Sequence, residues 1–248
     1  MKAMILAAGL GTRLRPLTDD RPKALVDIAG RAPLELTLTR LRDFGIRDVI
    51  INTHHFAEMM VEYLAEHQNF GMRIEISHED NLLDTGGGLK KAAHFLLDSS
   101  SADEPFILHN VDVISNIDLH RMVRFHTEQQ ALATLAVQDR KTSRYLLFDG
   151  ASQLCGRKSG KDGNTEVVRP APHLNALAFN GIHVISPRLL NMMTEDGAFS
   201  IITSYLRLAA SGERILGFRA DEYHWRDLGT PEGVAQAARD LSAGRISV

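Results

Sequence analysis

Lys2-Ala3-Met4-Ile5-Leu6-Ala7-Ala8-Gly9-Leu10-Gly11-Thr12-Arg13 is the stretch from which the fold is read. Met4 to Ala8 is a short apolar run with no polar alternation, the pattern of a strand buried on both faces. It is far too short to span a membrane. The run ends in glycines at positions 9 and 11. Glycine there lets the backbone pass close to a ligand and turn N–H groups outward, which makes a cradle for phosphate. A plain strand-to-helix turn would use the same residues, so the loop takes its meaning from its surroundings.

Outward from that loop, strand and helix patterns alternate. A helix is predicted from Pro33 to Phe44, with proline in its first turn and Gly45 as its stop. Asp48 to Asn52 reads as a second buried strand. Residues 55–67 place Phe56, Met59, Met60, Tyr63 and Leu64 on one helical stripe. Met72 to Ser77 alternates as a strand, Gly88 to Leu97 is helical, and Pro105 to His109 is a third buried strand. This alternation predicts right-handed crossovers and a mostly parallel sheet. Ligands of such sheets bind beyond the carboxyl ends of the strands, where the glycine loop, Asn52 and the segment after His109 fall together. After about residue 130 the pattern shifts to strands at Leu132–Gln138, Tyr145–Asp149 and Ala176–Ile185, with a polar loop at Ser159–Glu166. Helices are expected at Phe199–Ala210 and Glu232–Leu241. No hexapeptide repeat is present, which excludes a left-handed β-helix. The fold class is therefore α/β: one Rossmann-like domain over 1–248, a mostly parallel sheet flanked by helices, with a smaller C-terminal part acting as a lid or substrate subsite.

Composition narrows the chemistry. The chain has 248 residues, 44% of them hydrophobic and 24% charged, which excludes extensive disorder. A net charge of −3 argues against a nucleic-acid or membrane-surface binder. The single cysteine, Cys155, excludes an intrachain disulfide and a thiolate zinc cluster. A cytoplasmic location is expected, since the N-terminal segment carries motif residues rather than a signal peptide. Residues 1–31 run against the overall charge: Lys2, Arg13, Arg15, Arg21, Lys23 and Arg31 outnumber Asp19, Asp20 and Asp27. Concentrated cations beside a glycine loop supply the donors and countercharge that a polyphosphate needs. The loop is neither a dinucleotide fingerprint, whose third glycine would stand at Leu14, nor a P-loop, since Thr12-Arg13-Leu14 replaces Gly-Lys-Ser/Thr.

Leu6-Ala7-Ala8-Gly9-Leu10-Gly11-Thr12-Arg13-Leu14-Arg15-Pro16-Leu17-Thr18, followed by Arg21-Pro22-Lys23, resembles the signature of the sugar-1-phosphate nucleotidyltransferases. Ala24 stands where that family has a second proline. Leu83-Asp84-Thr85-Gly86-Gly87-Gly88 resembles the segment that receives the nucleobase in bacterial members. His109-Asn110-Val111-Asp112 falls where the family carries Gly-Asp, with Val111 in place of the glycine and expected to crowd the ribose or sugar. Trp225-Arg226-Asp227-Leu228-Gly229-Thr230 resembles the family's Trp-x-Asp-x-Gly-Thr, and Ala178-Phe179-Asn180-Gly181-Ile182-His183 its sugar-binding strand. On spacing alone, Asp112 and Asp227 read equally well as a turn former and a helix cap.

The resemblance implies a nucleotide-binding half over 1–130 and a sugar-binding half over 131–248. The implied partners are a nucleoside triphosphate and a sugar 1-phosphate. Arg13 would hold the β- and γ-phosphates and Lys23 would neutralise the α-phosphoryl group. Asp112 and Asp227 would hold Mg²⁺, a hard cation suited to one or two carboxylates plus phosphates. Ala8, Gly9, Gly11, Thr12, Gly86, Gly87, Gly88 and Asn110 would place the nucleotide. Asn52, Asn180, Gly181 and Arg169 would receive the sugar, with His54 lining the pocket and Glu166 near Arg169. The motifs are most similar to the bacterial N-acetylmuramate-1-phosphate uridylyltransferases, with guanylyltransferases for mannose- or heptose-1-phosphate as the alternative. Val111 and Ala24 also leave room for a catalytically weak nucleotide-sugar sensor.

Overall fold

A computed structural model describes residues 1–97, 104–160 and 162–245. Position 161, inside the expected polar loop, lies outside the described residues. The elements in chain order are β1 (Lys2–Leu6), α1 (Pro33–Asp43), β2 (Asp48–Thr53), α2 (Ala57–Glu66), β3 (Arg73–His78), α3 (Asp84–Lys91), α4 (Ala93–Leu96) and β4 (Phe106–Asn110). There follow β5 (Val113–Ser115), α5 (Leu119–Glu128), β6 (Ala133–Gln138), β7 (Arg144–Phe148), β8 (Leu154–Ser159), β9 (Thr165–Val167) and β10 (Asn175–Ile185). The chain continues through α6 (Arg188–Asn191), α7 (Ile201–Ala210), β11 (Ile215–Arg219), β12 (Trp225–Asp227) and α8 (Pro231–Ser242).

The expected parallel sheet is there. β3, β2, β1 and β4 are neighbours in that order and all parallel. Leu6 of β1 is in register with Asn52 of β2 and Asn110 of β4, so three site segments leave the sheet at one edge. Beyond β4 the sheet turns antiparallel through β10, which pairs β4 by Ile182–Ile185 and β7 by Asn175–Ala178. Between these halves its register against β6 slips, at Gly181, whose φ is +76°. A left-handed residue costs glycine little, and the bend lets one long strand serve two partners. β5 and β12 form a separate two-stranded ribbon that sets Asp227 opposite Val113.

The apolar run of β1 lacks alternation because the sheet is covered on both sides. Met4 and Leu6 enter one core with Leu108 and Phe95, and Ala3 and Ile5 enter the other with Leu38, Val49 and Ile107. A third cluster packs Leu14, Val26 and Leu36 against Leu228, Val234 and Ala237. Burying a leucine such as Leu14 contributes about 1.5–3 kcal/mol. Its position matters as much as its energy: Leu14 follows Arg13 and Leu228 follows Asp227, so this core clamps the glycine loop to the C-terminal motif.

Several boundaries differ from expectation. The second helix starts at Ala57, because Phe56 is left-handed at φ 57°. The helix expected from Gly88 begins at Asp84 and breaks at Ala92 into α3 and α4. α5 and β11 were not anticipated, and the polar loop at 159–166 is the tip of the β8–β9 hairpin. Caps match chemistry where α5, α7 and α8 start: Asp118, Ser200 and Thr230 each accept from a backbone N–H of the first turn.

Candidate active site

Asn52 builds the start of the glycine loop. Its Oδ1 accepts from the backbone N–H of Ala7 at 2.6 Å and of Ala8 at 3.3 Å, and its Nδ2 donates to Glu79 Oε1 at 2.8 Å. Glu79, itself buried, accepts from Leu83 N–H at 2.9 Å through its other oxygen. One buried amide and one buried carboxylate thus tie β1, β2 and the approach to α3 into a single frame. Asn52 was expected to bind sugar. It lines the cavity, and its three hydrogen bonds hold it in the frame beneath the loop. Glu79 was missed because a lone glutamate after a strand carries no motif. His54, expected in the pocket, bonds Glu79 O through Nδ1 at 2.7 Å.

A cavity of about 330 Å³ opens at this edge, lined by Ala8, Gly9, Lys23, Asn52, Asn110 and Asp112 on one side and Leu82, Asp84 and Thr85 on the other. Lys23 Nζ reaches Asp112 Oδ2 at 3.0 Å. The same amine packs under Gly9, where an added Cβ would lie 3.1 Å from it. Side chains at position 9 would therefore displace Lys23. Thr18 Oγ1 donates to Gly11 O at 2.9 Å and fixes the turn, which Gly11 enters at φ +65°. Burial pushes the Asp112 carboxyl up, but the Lys23 ammonium, by charge and hydrogen bond, with Arg13 behind it, holds it below the usual carboxylate range.

Arg13 and Asp227 both lie against Gly229. A Cβ on that glycine would lie 2.6 Å from Arg13 Nη2 and 2.9 Å from Asp227 Oδ1, so only glycine leaves room for both. Asp227 Oδ1 accepts Gly229 N–H at 2.7 Å, and Leu228 N–H donates to Asp112 O at 2.9 Å. Asp227 ends β12 and Asp112 immediately precedes its partner β5, so the two aspartates expected to act together lie in one region of the fold. Among the described residues no group of three or more His, Cys, Asp and Glu side chains converges. Mg²⁺ usually takes one or two carboxylates with substrate phosphates and water, so this pair suits that ion with a triphosphate bound, without a preformed cage.

The triple glycine, expected to place the nucleotide, packs closely against neighbouring segments. Gly86 and Gly87 give their N–H groups to Phe199 O, at 2.8 and 3.4 Å, and any Cβ on either would run into residues 197–199. These glycines let α3 lie directly against that segment. A Cβ at Gly88 would sit 2.8 Å from Glu79 Oε1 and 2.9 Å from Asn52 Nδ2, so Gly88 protects the frame under the loop. The cavity wall is formed just before them, by Leu82, Asp84 and Thr85.

Val111 was expected to crowd the ligand. Its side chain is wholly buried in the core with Ile107 and Val113, and its N–H donates to Leu6 O at 3.1 Å. Ala24, also wholly buried, packs in the same core.

On the far side, Asn180 is wholly buried and its carbonyl accepts Trp225 Nε1–H at 2.8 Å. Gly181 lies against Asn110, where a Cβ would come within 3.0 Å of Nδ2. Asn180 Nδ2 and Asn110 Oδ1 are buried without a hydrogen-bond partner. Arg140, which the motifs did not flag, stacks on Trp225 with its guanidinium carbon 3.7 Å from the ring centre. The backbone N–H of Arg169 donates to Cys155 O of β8, and Arg169, like Arg140 and Asn180, is not among the residues lining the cavity. Glu166 pairs with Arg157 on the surface at 2.7 Å.

A glycine loop after a buried parallel strand, an amine–carboxylate pair beneath it and a guanidinium at its rim define an α/β protein that handles phosphoryl groups. The nucleotidyl transferase family model matches residues 2–149, and the chain belongs to that family. N-acetylmuramate alpha-1-phosphate uridylyltransferase of Caulobacter vibrioides is 33% identical over 97% of this chain and 96% of its own length. UTP–glucose-1-phosphate uridylyltransferase of Synechocystis sp. is 30% identical over 99% of this chain. Mannose-1-phosphate guanylyltransferase catalytic subunit beta of Danio rerio is 30% identical over 94%. The chain spans 64% and 62% of those two relatives. Sugar-1-phosphate nucleotidyl transfer is the activity this membership supports.

In fold, the chain superposes on a putative glucose-1-phosphate thymidylyltransferase from Bacillus anthracis in complex with a sucrose. The TM-score is 0.80 at 19% identity, over 100% of this chain and 97% of the other. HddC from Yersinia pseudotuberculosis, complexed with GMP-PN, gives a TM-score of 0.75 at 20% identity, over 97% and 99% of the two chains. Among the described residues no helix is long and apolar enough to cross a membrane.

Proposed function

We propose that this chain transfers UMP from UTP to N-acetylmuramate 1-phosphate, with Mg²⁺, in the cytoplasm. The relative from Caulobacter, similar over nearly the full length of both chains, supports that substrate pair. The observation that carries the catalytic reading is Lys23 Nζ, seated against Gly9 and on Asp112 at the wall of the cavity.

In the proposed reaction a phosphate oxygen of the sugar 1-phosphate attacks the α-phosphorus of UTP. The α-phosphorus–oxygen bond to the β-phosphate breaks and pyrophosphate leaves. Phosphoryl transfer asks for positioning and charge stabilisation more than covalent chemistry. Lys23 neutralises charge on the α-phosphoryl oxygens. Arg13, on the rim beside Asp227, holds the β- and γ-phosphates and stabilises the departing pyrophosphate. Asp112 and Asp227 would hold Mg²⁺, which would supply positive charge at the reacting phosphates. Gly9, Gly11 and Thr12 shape the phosphate side, and Asn180 and Gly181 the sugar side.

Pyrophosphate release, measured with Mg²⁺ over UTP, GTP, dTTP and CTP against a panel of sugar 1-phosphates, tests this. The highest kcat/KM is expected for UTP with N-acetylmuramate 1-phosphate. GTP preferred with mannose or heptose 1-phosphate would replace the substrate assignment. Tight binding without turnover on any pair would replace the enzyme reading with that of a sensor.

A further inference from the structure

We propose that Arg140 takes an anionic group of the acceptor sugar phosphate, and so sets acceptor specificity. This rests on the reaction proposed above. Arg140 follows β6, near the bend of β10, and its guanidinium is held flat. It lies over Trp225 at 3.7 Å, donates from Nη2 to Phe179 O at 2.9 Å and directs Nε to Asn180 Oδ1 at 3.4 Å. These anchors come from the two segments that form the far side of the site. Trp225 and Asp227 are two residues apart in β12, hence on one face of that strand.

What the arrangement lacks is a carboxylate in contact: Asp227 acts on Arg140 only through space. Among the described residues Arg140 makes no ion pair, and Nη1 has no hydrogen-bond partner. Most other arginines of the chain sit against a carboxylate, as Arg207 does against Glu195 at 2.8 Å and Arg188 against Glu213 at 2.9 Å. A half-buried guanidinium with no carboxylate in contact gains from an anion that can touch it. Beside it, the buried Asn180 Nδ2 is a second donor with no acceptor. Two preorganised donors with unspent capacity, beside the strand that carries Asp227, fit an oxyanion of the acceptor. That oxyanion is either the 1-phosphate or a carboxylate substituent on the sugar, such as the lactyl group of N-acetylmuramate.

The test is steady-state kinetics of Arg140→Gln and Arg140→Lys against wild type, using N-acetylmuramate 1-phosphate and N-acetylglucosamine 1-phosphate as acceptors. The second sugar keeps the phosphate and lacks the carboxylate. Loss of a charge-assisted contact should raise the acceptor KM of Arg140→Gln about 10-fold or more, with the UTP KM and the thermal midpoint nearly unchanged. A rise confined to the muramate substrate identifies the carboxylate as the ligand, and an equal rise on both identifies the phosphate. An unchanged acceptor KM, or a UTP KM that rises in step with it, overturns the proposal and leaves Arg140 as a strap across the β10 bend. Arg140→Lys keeps the charge and stem, and should restore part of the acceptor affinity; it carries the test if Arg140→Gln does not fold. Wild-type enzyme that ignores N-acetylmuramate 1-phosphate sinks the substrate assignment separately, and the Arg140 comparison then uses whichever sugar phosphate is turned over.

Discussion

Lys23 Nζ lies 3.0 Å from Asp112 Oδ2, across 89 residues of chain. The contact joins the cationic N-terminal motif to the end of β4 and gives each charge a partner in the absence of substrate. It also holds the amine at the place where the glycine loop opens.

Lys23→Ala should lower kcat for pyrophosphate release by about 10²-fold or more, the usual cost of losing a charge contact made in the transition state. Arg13→Ala should do the same. Near-normal rates in either variant would take that residue out of the mechanism.

Asp227→Asn keeps the side-chain size and its bond to Gly229 N–H but removes the charge. The Mg²⁺ concentration for half-maximal activity should rise about 10-fold or more, as for other altered metal sites. A titration curve that superposes on the wild-type curve would show that Asp227 is no ligand.

Val111→Gly restores the family's residue and should be destabilising. The valine side chain is wholly buried, and deleting it leaves a cavity and a freer backbone at a cost of about 2–4 kcal/mol. Urea unfolding measures this, and an unchanged midpoint would contradict the core role.

Gly88→Ala should leave α3 helical but push on Glu79 Oε1 and Asn52 Nδ2. The expected result is a raised KM for the triphosphate, because Asn52 positions the start of the glycine loop. Crowding of this kind costs about 1–3 kcal/mol. A variant with normal kinetics and stability would show that the frame tolerates the methyl group.

Stability should fall in mild acid. Burial, with Arg40 nearby, pushes His109 down to about 3, and burial, with His109 nearby, pushes His183 down to about 3. The unfolded imidazoles take up protons from about pH 6.5 downward while the folded ones stay neutral. Their contribution is thus complete above that pH and is lost as pH falls toward 3. At pH 5 each costs roughly 2 kcal/mol. His183→Gln, which keeps a partner for Tyr205, should show a smaller drop in thermal midpoint between pH 7.5 and 5 than wild type. Equal drops in both proteins would count against this account.

The sheet was legible because burial on both faces leaves a plain mark, an apolar run such as Met4–Ala8. The glycine loop, Lys23, Asp112 and Asp227 were legible as motif residues. β11 went unread because Ile215–Arg219 is short; α5 went unread although Leu119, Met122 and His126 recur at helical spacing. Glu79 and Arg140 carried no signal either, because their importance lies in partners 27 and 40 residues away, Asn52 and Asn180.

The amino-acid order by itself determined the α/β layering and the residue types at the phosphate cradle, since these follow from local hydrophobic pattern and backbone freedom. Only the folded chain decided which of those residues line the cavity. Gly86, Gly87 and Val111 stand in motif positions yet spend their contacts on packing and internal hydrogen bonds. Arg140 stands outside the motifs yet packs on Trp225 and Asn180. A side chain's role depends on what the long-range pairing of β5 with β12 and the bend of β10 bring within a few ångströms of it, and that proximity is absent from local sequence.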